Sequence, residues 1–459
     1  MTWSYIIHLG VISAALLFAS FLRTKINFLK KYLIPSSILG GFFLFFFYNF
    51  IAKQFGLTTL FLEELIYHLL NLSFIAMMLR PEITDKKLKN KNMVAKNVTA
   101  IMFQYGLQTT FGLGLILLLF FTIKPDIFFG MGLNLALGFE LGPGQAYSVT
   151  KVWESMGFTN GSSFALAMSA IGFLVGSIRG VTLINIGIKK GWINSSKVKQ
   201  TEEIQKKKLE EASELYSLDS LSYHFALVFG TYLLSYLALS FISYLLAFLG
   251  PLGVEFATSL WGVNFIFSSL TALVVKMFCK KLNLLPDMSE NVFSRISGIS
   301  VDFTVAASLG SISVIALTSY WLELVLLTIL GIVITVIMLP WYCSRLFKGD
   351  HAFERTILLY GTATGTLPTG LSLLRIVDPD FETPAATDYM YASGVVFALV
   401  IPLILLINLP ANSYVSGNLN QFFLMLGFCS LYFIATLLFY IKYAKKNSFL
   451  NPKTLFITE

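Results

Sequence analysis

Long apolar runs alternate with short basic segments along almost the whole chain. The runs fall at 4–22, 33–52, 64–79, 97–123, 160–188, 222–249, 256–279, 292–318, 320–344, 388–410 and 418–441. A helix needs about 20 apolar residues to cross a bilayer, so these eleven runs predict membrane-spanning helices. Two further apolar stretches, 127–156 and 353–376, are broken by glycine and proline, which weaken a straight helix. Each predicts a re-entrant hairpin: a helix in, a turn at membrane depth, a helix back out. Irregular backbone at that depth survives only where protein or a water-filled cavity surrounds it.

The two broken stretches carry matched punctuation. The first holds Gly138, Glu140, Gly142, Pro143, Gly144 and Gln145, then Phe158. The second holds Gly361, Thr362, Thr364, Gly365, Thr366, Pro368, Thr369 and Gly370, then Phe381. Gly138, Gly142 and Phe158 fall on Gly361, Gly365 and Phe381 at one offset of 223 residues. Interrupted apolar segments at corresponding places in two halves point to a transporter's binding site.

Composition agrees with a membrane protein. Only 13% of the 459 residues are charged and 56% are hydrophobic, with 43 phenylalanines, whereas soluble domains carry about 25% charge. The net charge of +8 resides in short loops between apolar runs, where basic residues encode orientation; it is no footprint for nucleic acid. Placing the N-terminus outside, and letting each hairpin return to the side it entered, puts 29 of the 33 lysines and arginines inside. Lys53, Lys124 and Lys151 are left outside, and Arg179 within a span. The first run lacks a basic segment before it, and its positive charges follow it. It therefore reads as an uncleaved span rather than a signal peptide. Cys279, Cys343 and Cys429 lie in or beside apolar runs and read as buried small hydrophobes.

The organisation expected is all-α and polytopic. A first repeat (1–188) and a second repeat (221–411) would each hold five spans and one hairpin, in inverted topology. A Lys/Glu-rich linker (189–220) would join them as a solvated helix, and an extra span with a tail (412–459) would follow.

Four places carry a family likeness: Leu29-Lys30-Lys31-Tyr32-Leu33-Ile34-Pro35 with Gly40-Gly41; Gly142-Pro143-Gly144, Lys151 and Gly157-Phe158-Thr159-Asn160; Ile171-Gly172-Phe173-Leu174-Val175-Gly176; and Gly365-Thr366-Leu367-Pro368-Thr369. In these the chain resembles the sodium/glutamate symporter family. The resemblance implies a sodium-driven carboxylate amino-acid transporter of two inverted five-span repeats, dimeric, with one domain moving against a fixed scaffold. Glu140 and the tip Pro143 depart from the family's first hairpin, which is richer in small residues.

The hairpin tips supply the candidate chemistry. Helix N-termini offer free N–H groups and a positive dipole end to a carboxylate, and turn carbonyls suit a desolvated sodium ion. The substrate-binding candidates are Gly142, Pro143, Gly144, Gln145, Thr364, Gly365, Thr366, Pro368, Thr369 and Arg179. The ion-binding candidates are Glu140, Thr362, Asp302, Asn71 and Ser73. Charges inside spans are costly and functional by default. Arg179 nonetheless lies roughly 28 Å along its helix from Asn160, so snorkelling or helix pairing competes with a substrate role. The glycines could instead merely ease helix packing. The four histidines show no metal-ligand spacing and read as core or interfacial residues.

The expectation is sodium-coupled symport of a small carboxylate, glutamate first, by alternating access in the inner cell membrane, with the C-terminus cytoplasmic. Sodium is the coupling ion; no other cofactor, no nucleic acid and no enzymatic step is expected. A sodium/proton exchanger using Asp302 or Glu140 is the alternative. A polytopic membrane enzyme would need a polar loop with clustered Asp, His or Ser, which the chain lacks.

Overall fold

A computed structural model describes residues 3–32, 34–81, 91–192, 220–282, 288–378 and 383–457. Most of the linker, Leu33, Asp380 and Phe381 lie outside the described residues. Every regular element described is helical, as lipid demands of a chain that must pair its own backbone groups.

Among the described residues ten helices are long and apolar enough to cross a membrane, and a bent pair makes an eleventh if it is counted as one span. They are α1 (Ser4–Lys25), α2 (Ser36–Phe55), α3 (Leu60–Leu79), α4 (Lys91–Thr122), α7 (Gly161–Lys189), α8 (Ser220–Ala247), α11 (Glu290–Gly310), α12 (Trp321–Leu346), α15 (Ala385–Ser416) and α16 (Asn420–Asn447). The bent pair is α9 (Pro251–Gly262) with α10 (Asn264–Lys281), turning by 72° where a single span is predicted. At that bend Gly262 presses on α6 (Pro143–Glu154): a Cβ on Gly262 would lie 2.6 Å from Val152.

Each broken stretch forms two short helices. In the first, α5 (Phe129–Leu141) meets α6 at Gly142, whose φ of 92° and ψ of 177° are open only to glycine. In the second, α13 (Ala352–Thr362) and α14 (Leu367–Val377) flank a turn at 363–366. Gly361 and Gly370 let these two arms touch at backbone distance: a Cβ on Gly361 would lie 2.6 Å from the Gly370 Cα. Packing and conformational freedom are thus separate duties of different glycines.

The helices sort into two bodies. The hairpins, α4, α7, α12, α15 and α16 supply most of one apolar core, which Leu70 of α3 and Phe265 and Ile266 of α10 also enter. The helices α1, α2, α3, α8, α10 and α11 supply most of two others, and Tyr147 of α6 and Phe173 of α7 reach into one of them. Both hairpins lean on a glycine stripe of α7. A Cβ on Gly172 would sit 2.9 Å from the Thr364 carbonyl, and one on Gly176 would sit 2.6 Å from its hydroxyl.

The polar loops collect at two ends. At one end Lys124 bonds Glu323 at 2.6 Å, Lys151 bonds Glu63 at 2.8 Å, and the Trp153 indole donates to Asn408. At the other end Trp192 packs on Phe353 and Phe456, and Arg345 donates to Leu450, Asn451 and Thr454 carbonyls. The three cysteines are buried and unpaired by disulfide. His8 pairs with Tyr48, His68 with Tyr232, and His224 accepts from the Ser289 amide.

Candidate functional site at the hairpin tips

The two tips meet inside the protein. A Cβ on Gly142 would lie 3.2 Å from Thr366 Cγ2 and 3.6 Å from the Gly365 carbonyl oxygen. Both second arms begin at the tips, with Pro143 and Pro368 in their first turns. Proline is tolerated there because that N–H would be unpaired anyway. Neither N-terminus has a side-chain cap, so first-turn amides such as those of Gly144, Gln145 and Thr369 have no partner in their own helices. The first arms end at the same place, and their last carbonyls form the negative poles.

A cavity of about 280 Å³ opens beside the tips, between the two bodies. From the hairpin body come Glu140, Pro143, Gly144, Gln145, Thr366, Pro368, Tyr105 on α4, and Tyr389 and Ser393 on α15. From the other body come Ser73 and Arg80 at the α3 end, and Ser297 and Thr304 on α11. Gly144 packs on Leu70 of α3. Arg80, just past the end of α3, follows ten residues later, about 15 Å along the helix axis, and joins the same cavity wall.

The cavity's charges are Arg80 and Glu140. The Glu140 Oε2 is buried and has no hydrogen-bond partner among the described residues. The Arg80 Nε is likewise buried and unpartnered among them, and Glu290 is close enough to act on that guanidinium. A buried carboxylate without a partner calls for a proton or a cation.

A second cavity of about 140 Å³ lies on the other side of the second tip. Asp302 on α11 lines it together with Ser37 of α2. Ser177, Thr366, Thr369 and Ser372 add hydroxyls. Thr366 and Pro368 belong to the walls of both cavities.

The sequence candidates divide accordingly. Glu140, Pro143, Gly144, Gln145, Thr366, Pro368 and Ser73 line the first cavity; Asp302 and Thr369 line the second; Gly142 and Gly365 are the touching turns. Besides these two glycines, four candidates line neither cavity. Thr362 bonds Tyr389, a wall residue. Thr364 donates to the Tyr360 carbonyl and fills the α7 notch. Asn71 donates to the Tyr67 carbonyl and accepts from Ser268. Arg179 is exposed on α7, away from both cavities.

The wall residues that sequence reading passed over are Arg80, Tyr105, Ser297, Tyr389 and Ser393. Arg80 was visible as the residue seven after Ser73, on the same helical face; counted as a loop charge, it was set aside.

A sequence model described as sodium/glutamate symporter matches residues 3–361. The chain belongs to the sodium/glutamate symporter family. That is a family of transporters, not enzymes. No curated protein and no solved structure matches the chain significantly. In this family member the matched region takes in the first tip, Asp302 and both faces of the α3–α11 crossing. The second tip, Thr362 to Gly370, falls just beyond it.

Proposed function

We propose that the chain is a secondary active transporter coupling sodium to the uptake of an acidic amino acid, glutamate first, by alternating access. The observation that carries this is the double role of the second tip. Thr366 and Pro368 wall both the larger cavity and the small Asp302 cavity, and both cavities lie between the two bodies. A cation held by Asp302 and the surrounding hydroxyls would order the tip that the substrate touches from the other side. Binding of one ligand then lowers the ordering cost of the other, which is positive coupling.

In the larger cavity the first-turn amides and hydroxyls would take one carboxylate and Arg80 would draw the other. Glu140 would face the substrate ammonium or a second cation. The hairpin body would move against α1–α3 and α8–α11, exchanging access between the two ends. At one end Glu63 of α3 holds Lys151 and Tyr147 of the first hairpin, closing that side.

Inverted repeats fit the packing. Helix α2 packs on α11 and α3 packs on α10, the exchange expected if α2 matches the bent α9–α10 pair and α3 matches α11. We assign the N-terminus outside, the basic loops to the cytoplasm of an inner-membrane protein, and a homodimeric state, from the charge asymmetry and the family.

The test is uptake into proteoliposomes of labelled glutamate, aspartate, citrate and neutral amino acids, with and without an inward sodium gradient. Accumulation of acidic amino acids that needs the gradient supports the reading. Sodium-dependent proton exchange with no solute uptake would replace it with the exchanger.

A further inference from the structure

Two adjoining spaces at the basic end of the molecule lie outside the transport site. The larger, about 760 Å³, is a slot between α4, α15 and α16, walled by apolar side chains such as Val98, Met102, Leu399, Leu431 and Phe439. Lys91 stands on its rim. The smaller, about 420 Å³, is polar and is lined by Asn92, Lys96, Lys445, Lys446 and Asn447. Tyr443 belongs to the walls of both. Among the described residues no acidic side chain lines either space; Asp350 and Arg355 act on Lys96 from outside, and Lys445 from within the same wall.

We propose that this recess holds one anionic phospholipid, its acyl chain in the slot and its phosphate at the lysines. An apolar groove ending in a lysine cluster beside a spanning helix matches that ligand in both parts. A second copy of the chain matches it poorly. Helix α16 carries no aspartate or glutamate, so apposing two copies along it would set lysine against lysine. The extra span outside the paired repeats thereby gains a duty: it is one wall of the lipid site.

Native mass spectrometry of the delipidated full-length protein tests this with dioleoyl-phosphatidylglycerol, dioleoyl-phosphatidylcholine and soluble glycerol-3-phosphate. Phosphatidylglycerol is expected to bind at least tenfold more tightly than phosphatidylcholine, with no binding of glycerol-3-phosphate alone. The exposed pair Lys91→Gln/Lys446→Gln is expected to erase most of that preference, at roughly fivefold per lysine. Ala435→Trp, which fills the slot, is expected to weaken both lipids. Equal binding of the two lipids, or an unchanged preference in the lysine variant, would overturn the proposal. So would loss of dimer mass in Ala435→Trp with lipid binding intact, which would assign the slot to a second copy. Melting of each variant in detergent, unchanged from the parent, separates these outcomes from misfolding.

Discussion

The Ser73 and Ser297 hydroxyl oxygens lie 3.1 Å apart, one on α3 and one on α11, 224 residues from each other in sequence. That separation is one more than the offset between Gly142 and Gly365. Seven residues after each serine comes another cavity residue, Arg80 and Thr304. Two turns of helix return a side chain to the same face, so the crossing helices present registered polar faces to one cavity. The register is symmetric and the chemistry is not. One half supplies a cation where the other supplies a hydroxyl, as suits a solute with a charged end.

Arg80 therefore carries the first prediction. Hydrogen bonds to charged groups contribute about 1.5–3 kcal/mol, so Arg80→Gln should raise the KM for an acidic substrate roughly ten- to hundredfold. Arg80→Lys should recover part of it, lacking only the forked geometry. Sodium-driven uptake at varied substrate concentration reads both. A KM within threefold of the parent in Arg80→Gln would remove Arg80 from substrate recognition.

Gly142 carries the second. Its backbone conformation excludes a side chain at a cost of about 1–3 kcal/mol, and a Cβ would also press Thr366. Gly142→Ala should lower the melting temperature and abolish most uptake, since the strain falls at the point where the tips touch. Gly230→Ala on α8, where nothing lies within 4 Å of the added Cβ, should be neutral or stabilising by about 1 kcal/mol. Equal melting of the two variants would contradict the assignment of Gly142.

Some ten spans were legible because lipid imposes length and apolarity on any crossing segment. The glycines of the tips were legible because a break in such a segment needs special residues. The 72° turn between α9 and α10 was not, and at that turn Gly262 closes on Val152, a contact more than 100 residues away in sequence. Arg80 was missed for a related reason: a basic residue at a span end signals orientation in most proteins, and only the fold shows that it joins a cavity wall with residues of α4 and α11. Arg179 misled in the opposite sense. A charge well inside an apolar run suggests the interior, yet its face of α7 points outward.

A buried ion pair ties the second hairpin to its neighbour. Arg355 on α13, wholly buried, bonds Asp388 on α15 at 2.9 Å. Removing one partner of a buried pair costs about 3–5 kcal/mol because the other charge remains. Asp388→Ala should therefore destabilise strongly, while Arg355→Met/Asp388→Leu should melt much closer to the parent. Thermal unfolding in detergent decides it. A double variant as unstable as the single one would show that Arg355 is held mainly by its bonds to Asp350.

Asp302 tests the coupling itself. If its cavity holds the coupling ion, Asp302→Asn keeps the side chain's shape but loses the charge. The sodium concentration for half-maximal uptake should rise at least tenfold, the loss of one charge-assisted contact. At saturating sodium the KM for substrate should return to within about threefold of the parent, because the shared wall at Thr366 and Pro368 can again be ordered. Glu140→Gln should behave differently. Its carboxylate faces the substrate cavity, so its loss should persist at saturating sodium and appear in the substrate KM. Two variants with the same sodium-dependent defect would mean that both carboxylates serve one ion, and the division of the cavities between ion and solute would fall.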